Sequence, residues 1–311
     1  TTPPETLFLF MMAVSGMLSV QVDMRAKFNT ITIIHNQSKN LPDILQAYSS
    51  QSYKPEIFVF VLDRCSDTSE EIINEFAKTN TVDIIINNDG DGFMAGYCRD
   101  LAWEKHNKYP AIFLDGDCSP SPYLFEEFAK AFYINNNGIV IASRNLETEF
   151  GGIEEDSRVS IPWLRDKIFS KDGNMIITNR GLSKPGMIIW SCCLGITPNA
   201  AINIINVNYD ITRKKRIFSP TCDGLYGGED TIVGLISMFL DMSILSIKPE
   251  HTVFHRWHPT NKKKDYQTTI DTMYNLLEEY AIKNNLPGVK YKDFDYSKFV
   301  FNFAFRNQKH I

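Results

Sequence analysis

A chain of 311 residues, 43% hydrophobic and 22% charged, is long enough to bury a sizeable core as one large α/β domain or two unequal pieces. Its net charge of -5 and pI near 5.7 exclude the global basic field that advertises nucleic acid or anionic membrane. The six cysteines include no CxxC pair and one adjacent pair, Cys192-Cys193, which argues against a disulfide framework or a zinc site and fits a reducing, cytoplasmic setting.

Residues 7–22 are apolar but short for a membrane span, and no basic flank marks them as a signal peptide. The run from Met24, MRAKFNTITIIHN, reads like a protein start. Residues 1–23 are therefore set apart as an extension of uncertain origin, with no stable membrane insertion expected.

A strand-then-helix rhythm follows. Residues 30–34 are a β-branched run ending at His35-Asn36, and residues 41–50 read as a helix with Pro42 in its first turn. Residues 56–62, EIFVFVL, form a continuous apolar strand of the kind buried on both faces of a parallel sheet. The polar loop from Asp63 to Asp67 leads into a helix over residues 68–78. A third strand at 82–86, a turn-rich loop at 87–92 and a helix at 94–106 come next, then a fourth strand at 111–114 that stops at Asp115. A helix at 122–133 and a strand at 138–143 continue the alternation. It predicts a mostly parallel, doubly wound α/β sheet with ligands beyond the C-terminal strand ends.

Residues 145–174 turn irregular, acidic and glycine-rich and carry Trp163; residues 187–190 look strand-like and end in Trp190. A helix is expected over 229–242, short strands at 244–247 and 252–254, and an amphipathic helix over 265–284 before an aromatic-rich terminus. The domain reading is thus 24–260 for the α/β domain and 261–311 for a helical tail packed on it. Two basic runs, Arg213-Lys214-Lys215-Arg216 and Lys262-Lys263-Lys264, read as solvated loops and are the places where a polyanionic acceptor can dock.

Chemistry-bearing residues gather at the expected strand ends. In Asp115-Gly116-Asp117 two carboxylates two positions apart in extended chain point the same way, with a glycine between them that lets a ligand approach the backbone. Such oxygens suit Mg²⁺ or Mn²⁺, although Asp and Gly are also ordinary turn residues. Asp63 sits where acidic residues of α/β folds meet nucleosides, while Asp67 fits a cap on the following helix. Gly227-Gly228-Glu229-Asp230 opens a helix. Its acids either answer the helix dipole or hold a general base over a substrate hydroxyl. His255, nearer a strand end than His258, makes with two carboxylates a sensible Mn²⁺ donor set.

Together the segments ITIIHN, FVFVLDRCSDTS, AGYCRDLAWEK, IFLDGDCSPSP and GGEDTIVGLI resemble family 2-like glycosyltransferases of the GT-A fold, across residues 30–259. The GGED-helix-strand-His order looks especially like the galactosyl- and N-acetylhexosaminyl-transferase branch. The resemblance implies a nucleotide-sugar donor, a UDP-sugar by this pattern, with Mn²⁺ or Mg²⁺ as cofactor. It assigns Asp63 to the uracil, His35 to the donor nucleotide, Arg99 to phosphate, Asp115 to ribose or donor sugar, and Asp117 and His255 to the metal. Glu229 would orient substrate and Asp230 would be the base, with inversion. The loop LDRCSD departs from the commoner Asp-Asp-Gly-Ser form, which bears on the choice of uridine.

The acceptor is a glycan or another hydroxyl compound, with a nucleic-acid acceptor not excluded; Trp163 and Trp190 are its candidate contacts. Nucleotidyl transfer is the rival enzymatic reading, disfavoured because the first strand ends in HNQSKN without a glycine-rich phosphate loop. A non-catalytic nucleotide- or sugar-binding module is the other rival.

Overall fold

In the computed structural model, the described residues are 23–148, 152–155, 189, 191–225, 227–240, 242–247, 250–257 and 267–286. Trp163, Trp190, His258, the 262–264 lysines, residues 1–22 and the aromatic terminus lie outside them.

The first half of the chain builds a sheet edge by alternation. Strands β1 (Asn29–Ile34), β2 (Phe58–Asp63), β3 (Val82–Asn87) and β4 (Ala111–Asp115) are separated by helices α1 (Leu41–Ser49), α2 (Ser69–Ala77) and α3 (Ala95–His106). After β4 come β5 (Cys118–Pro120), α4 (Leu124–Ile134), β6 (Gly138–Ile141), β7 (Ser143–Glu147) and β8 (Ile153–Glu155). The second half supplies β9 (Cys193–Ile196), α5 (Pro198–Thr212), α6 (Glu229–Phe239), β10 (Ser243–Ser246), β11 (Thr252–His255) and α7 (Gln267–Lys283).

Seven strands form the main sheet in the order β10-β6-β9-β4-β1-β2-β3. It is parallel except for β9, which runs antiparallel to both β4 and β6. The side chains of β1, β2 and β4 alternate between two cores, as the two-residue strand period demands. Ile31, Ile33, Val59, Val61 and Phe113 face α3, α5, α6 and α7, while Ile34, Phe58, Phe60, Leu62, Ile112 and Leu114 face α1, α2 and α4. Helix α7 belongs to the first core through Ile270, Met273 and Leu277.

The stretch expected as one strand at 138–143 is two strands in different sheets. It breaks at Ala142: β6 stays in the main sheet, and β7 joins a small sheet of order β5-β11-β7-β8. Helix α5 was not anticipated. All six cysteines are free thiols, and no helix among the described residues is long and apolar enough to cross a membrane.

Candidate active site

Strand β4 ends at Asp115, and the turn after it places Gly116 against β1. A Cβ at Gly116 would lie 2.5 Å from the carbonyl oxygen of Ile33 and 2.8 Å from Ile34 Cδ1. Only a glycine lets the carboxylate loop cross β1 at this separation. The chain then enters β5, whose antiparallel pairing with β11 sets His255 opposite Cys118. Register thus carries His255 Nε2 to 3.4 Å from Asp117 Oδ2, and the Arg256 amide donates to the Asp117 carbonyl at 2.8 Å.

Asp115, Asp117 and Cys118 each offer a ligand atom within 4.8 Å of the others. Burial holds the Cys118 thiol well above its ordinary range, and it donates toward Asp117 Oδ1 at 3.4 Å. The donor set suited to a cation is therefore carboxylate and imidazole. Hard oxygens with one borderline nitrogen fit Mn²⁺ or Mg²⁺.

Behind this loop lies Arg99. The resemblance assigned it to phosphate; its side chain is 1% exposed and donates from Nη2 to Asp115 Oδ1 at 2.5 Å and from Nη1 to Glu229 Oε1 at 3.0 Å. One buried guanidinium therefore joins the end of β4 to the first turn of α6. Gly227 and Gly228, with φ of 92° and 97°, turn the chain into that helix in a conformation that favours glycine. Gly96 lets α3 come close enough for this contact, since a Cβ there would meet Phe218 Cβ at 3.0 Å and Glu229 Cβ at 3.4 Å.

Burial pushes the Glu229 carboxyl up to about 7, reinforced by repulsion from Asp230 and opposed by Arg99. Its Oε2 is buried without a hydrogen-bond partner. Asp230 is likewise raised by burial, against the amides of Ser191 and Thr231 that donate to it at 3.1 and 2.7 Å. Asp115 is charged close enough to raise Asp230 further. Ser191, just before β9, was not singled out in the sequence; nothing around it marks a carboxylate partner far along the chain.

Asp63, at the end of β2, is buried and receives three donors. Arg64 forks onto it from Nε at 2.9 Å and Nη2 at 2.8 Å, and Asn87 Nδ2 donates at 2.9 Å. Arg64, the residue that departs from the commoner acidic pair, holds a left-handed φ of 49° and also donates to the carbonyls of Gly90 and Gly92. His35 Nδ1 lies 2.6 Å from the Asp63 carbonyl oxygen, so the ends of β1 and β2 are tied together. Asp67, expected as a cap, sits one position before the N-cap Thr68 and accepts from the amides of Ser38 and Ser69, the latter the first residue of α2. Burial opposes its ionisation, but the Ser69 and Ser38 hydrogen bonds prevail and lower it to about 2.

The sheet therefore brings His35 with Asp63, Asp117 with His255, and Asp115 with Arg99, Glu229 and Asp230. The acceptor candidates Trp163 and Trp190, and the substitute ligand His258, lie outside the described residues.

Comparison with known proteins bears on this arrangement. No curated protein sequence matches the chain. Among solved structures, Staphylococcus aureus TarS 1-349 in complex with UDP-GlcNAc superimposes with a TM-score of 0.57 at 13% identity, covering 84% of this chain and 67% of that one. GalNAc-T7 with UDP, GalNAc and Mn²⁺ gives 0.58 at 12% identity, covering 88% and 54%. At such identities the likeness is one of fold, the GT-A sheet that the sequence resemblance anticipated, and the chain spans little more than half the GalNAc-T7 length. The model of glycosyl transferase family 2 matches residues 30–196, more than half of the chain. The chain is thus a glycosyltransferase and belongs to glycosyl transferase family 2.

Proposed function

We propose that the chain transfers a sugar from a UDP-sugar to an acceptor hydroxyl by single displacement with inversion, with a divalent cation held by Asp117 and His255. The observation that carries this reading is the Asp115–Arg99–Glu229 bridge, which joins the carboxylate loop at the strand end to the helix bearing Asp230. The donor half is supported by the UDP and UDP-GlcNAc complexes of fold relatives, the cation by the Asp117–His255 pair and by Mn²⁺ in GalNAc-T7.

Asp63 and His35 receive the nucleoside, and Asp115 faces the ribose or sugar. When bound, the cation supplies Lewis-acid stabilisation of charge growing on the departing diphosphate. Asp230 takes the acceptor proton as that oxygen bonds to the anomeric carbon and the carbon–phosphate-oxygen bond breaks, releasing the nucleoside diphosphate. Burial raises its proton affinity, in the direction a general base needs. Glu229 orients the substrate, and Arg99 keeps both carboxylate elements in register from within. Trp163 and Trp190 are proposed acceptor contacts. Residues 24–260 form the catalytic domain in this reading, with 261–311 as its tail.

The test is release of UDP from a panel of UDP-sugars, with and without Mn²⁺ or Mg²⁺. One donor is expected to turn over only with metal, and Asp230→Asn to bind UDP normally while turnover is lost. Binding of UDP by the unaltered protein with no metal-dependent turnover of any donor would leave only a binding module.

A further inference from the structure

Asp100, next to Arg99 on α3, is 8% exposed and takes no part in the chemistry described above. Its carboxylate gathers four hydrogen bonds from three donors of a distant segment. Arg216 Nε donates to Oδ2 at 2.7 Å, the Ile217 amide to Oδ1 at 2.8 Å, and the Phe218 amide to both oxygens at 3.3 Å. The far side of the Arg216 guanidinium forks onto Asp223, with Nη2 to Oδ1 at 2.9 Å, and its face lies over Tyr97 at 5.3 Å. A buried carboxylate that satisfies two backbone amides and an arginine fixes the path of the chain it holds.

What that path carries gives the cluster its meaning. Phe218 lies beneath the Arg99 guanidinium at 5.3 Å and packs edge-on against Phe113 of β4. Further along, the Gly224 amide donates to the Phe93 carbonyl at 2.9 Å, stitching the segment to the start of α3. The next turn, through Gly227 and Gly228, delivers Glu229 and Asp230. One helix thus presents Arg99 to the reacting carboxylates and Asp100 to the strap that seats Arg99 from below. Residues 216–228 fall beyond the stretch matched by the family model. Of the basic run 213–216, only Arg216 turns inward; Arg213, Lys214 and Lys215 are exposed.

We infer that Asp100 and Arg216 are positioning residues of the transfer reaction: they moor residues 216–225 against α3, so that Phe218 seats Arg99 and the double-glycine turn sets Glu229 and Asp230. This rests on the proposed transfer from a UDP-sugar. The mooring bears most directly on the seat of Arg99 and the first turn of the helix bearing Asp230, whereas His35 and Asp63 are held at the ends of β1 and β2 by each other, Arg64 and Asn87. Loosening it therefore slows the step by far more than it weakens nucleotide capture.

The experiment measures metal-dependent UDP release from the sugar nucleotide found active in the panel, for Asp100→Asn, Arg216→Met and Arg216→Lys, below each variant's unfolding temperature. Asp100→Asn and Arg216→Met are expected to lower kcat tenfold or more while KM for the sugar nucleotide and the Kd for UDP stay within twofold. Arg216→Lys, which keeps a cation beside Asp100, is expected to restore kcat to within threefold of the unaltered protein, and it keeps the question answerable if Asp100→Asn does not fold. A kcat within twofold of normal in Arg216→Met, or a rise in KM as large as the fall in kcat, would overturn the inference. Failure of the unaltered protein to release UDP from any donor would instead overturn the transferase reading on which it rests.

Discussion

Arg99 and Glu229 are 130 positions apart in the chain, yet their side chains meet at 3.0 Å in the interior, with Arg99 only 1% exposed. A buried ion pair adds little net stability, but removing one partner strands the other charge, at a cost of about 3–5 kcal/mol. Arg99→Met is therefore expected to lower Tm sharply. The stranded Glu229 can escape the penalty by taking up a proton. The loss in Tm should accordingly be larger at pH 8 than at pH 6, as differential scanning fluorimetry would read. Equal losses at both pH values would mean that Glu229 is not the group left behind.

Glu229 also sets the pH response of the unaltered protein. Its folded pKa, about 7, stands above its ordinary 4.5 because burial and Asp230 disfavour the charge. The folded state therefore holds a proton that the unfolded chain has given up. The stability linked to this group is complete below about 4.5 and is lost as pH rises through about 7. In the proposed transfer the sign reverses, because Asp230 as base must be ionised: kcat should then fall as pH drops through its raised range. Glu229→Gln removes a neighbouring negative charge, so the acidic limb of the kcat profile should move to lower pH. An unmoved limb would separate Asp230 from its neighbour.

Cation binding should depend on the strand register that brings His255 to Asp117. Chelation is expected to abolish UDP release and added Mn²⁺ to restore it. His255→Ala should weaken Mn²⁺ binding at least tenfold by titration calorimetry, while Asp117→Asn should abolish it. Activity insensitive to chelator would rule out the metal role of both residues.

Gly116→Ala tests the close crossing over β1. The new methyl would sit 2.5 Å from the Ile33 carbonyl, so backbone must move, with a stability cost of about 1–3 kcal/mol. Because Asp115 and Asp117 flank this residue, the same change should weaken Mn²⁺ affinity. A variant with normal Tm and normal Mn²⁺ affinity would show that the loop tolerates the shift.

The sheet was legible in the sequence where apolar runs are continuous. FVFVL of β2 and AIFL of β4 are buried on both faces and could hardly be anything else, and the acids that follow them mark the ligand-bearing rim. Direction is a different matter. Strand β9 at Cys193–Ile196 was not anticipated, a strand being expected at 187–190 instead, and an apolar run such as this one carries no mark of its antiparallel course. Helix α5 escaped notice because Asn199, Asn203, Asn206 and Asn208 dilute its pattern. The Thr197-Pro198 start was nevertheless in plain view, and the Thr197 side chain does accept from the Ala200 amide. The least visible features are Arg99 turned inward, Ser191 on Asp230 and the Asp100–Arg216 pair. Each joins residues far apart in sequence, and such contacts leave no periodicity to read.

The pairing of β5 with β11 has a consequence for biosynthesis. Asp117 leaves the ribosome long before His255, and the hairpin-free distance between them must be closed by a long-range strand pairing, which is slow relative to local structure. A nascent chain halted before Thr252 would carry the carboxylate loop without its imidazole. A cation held as proposed by Asp117 and His255 should consequently be captured late, as a marker that synthesis of the domain has run its course.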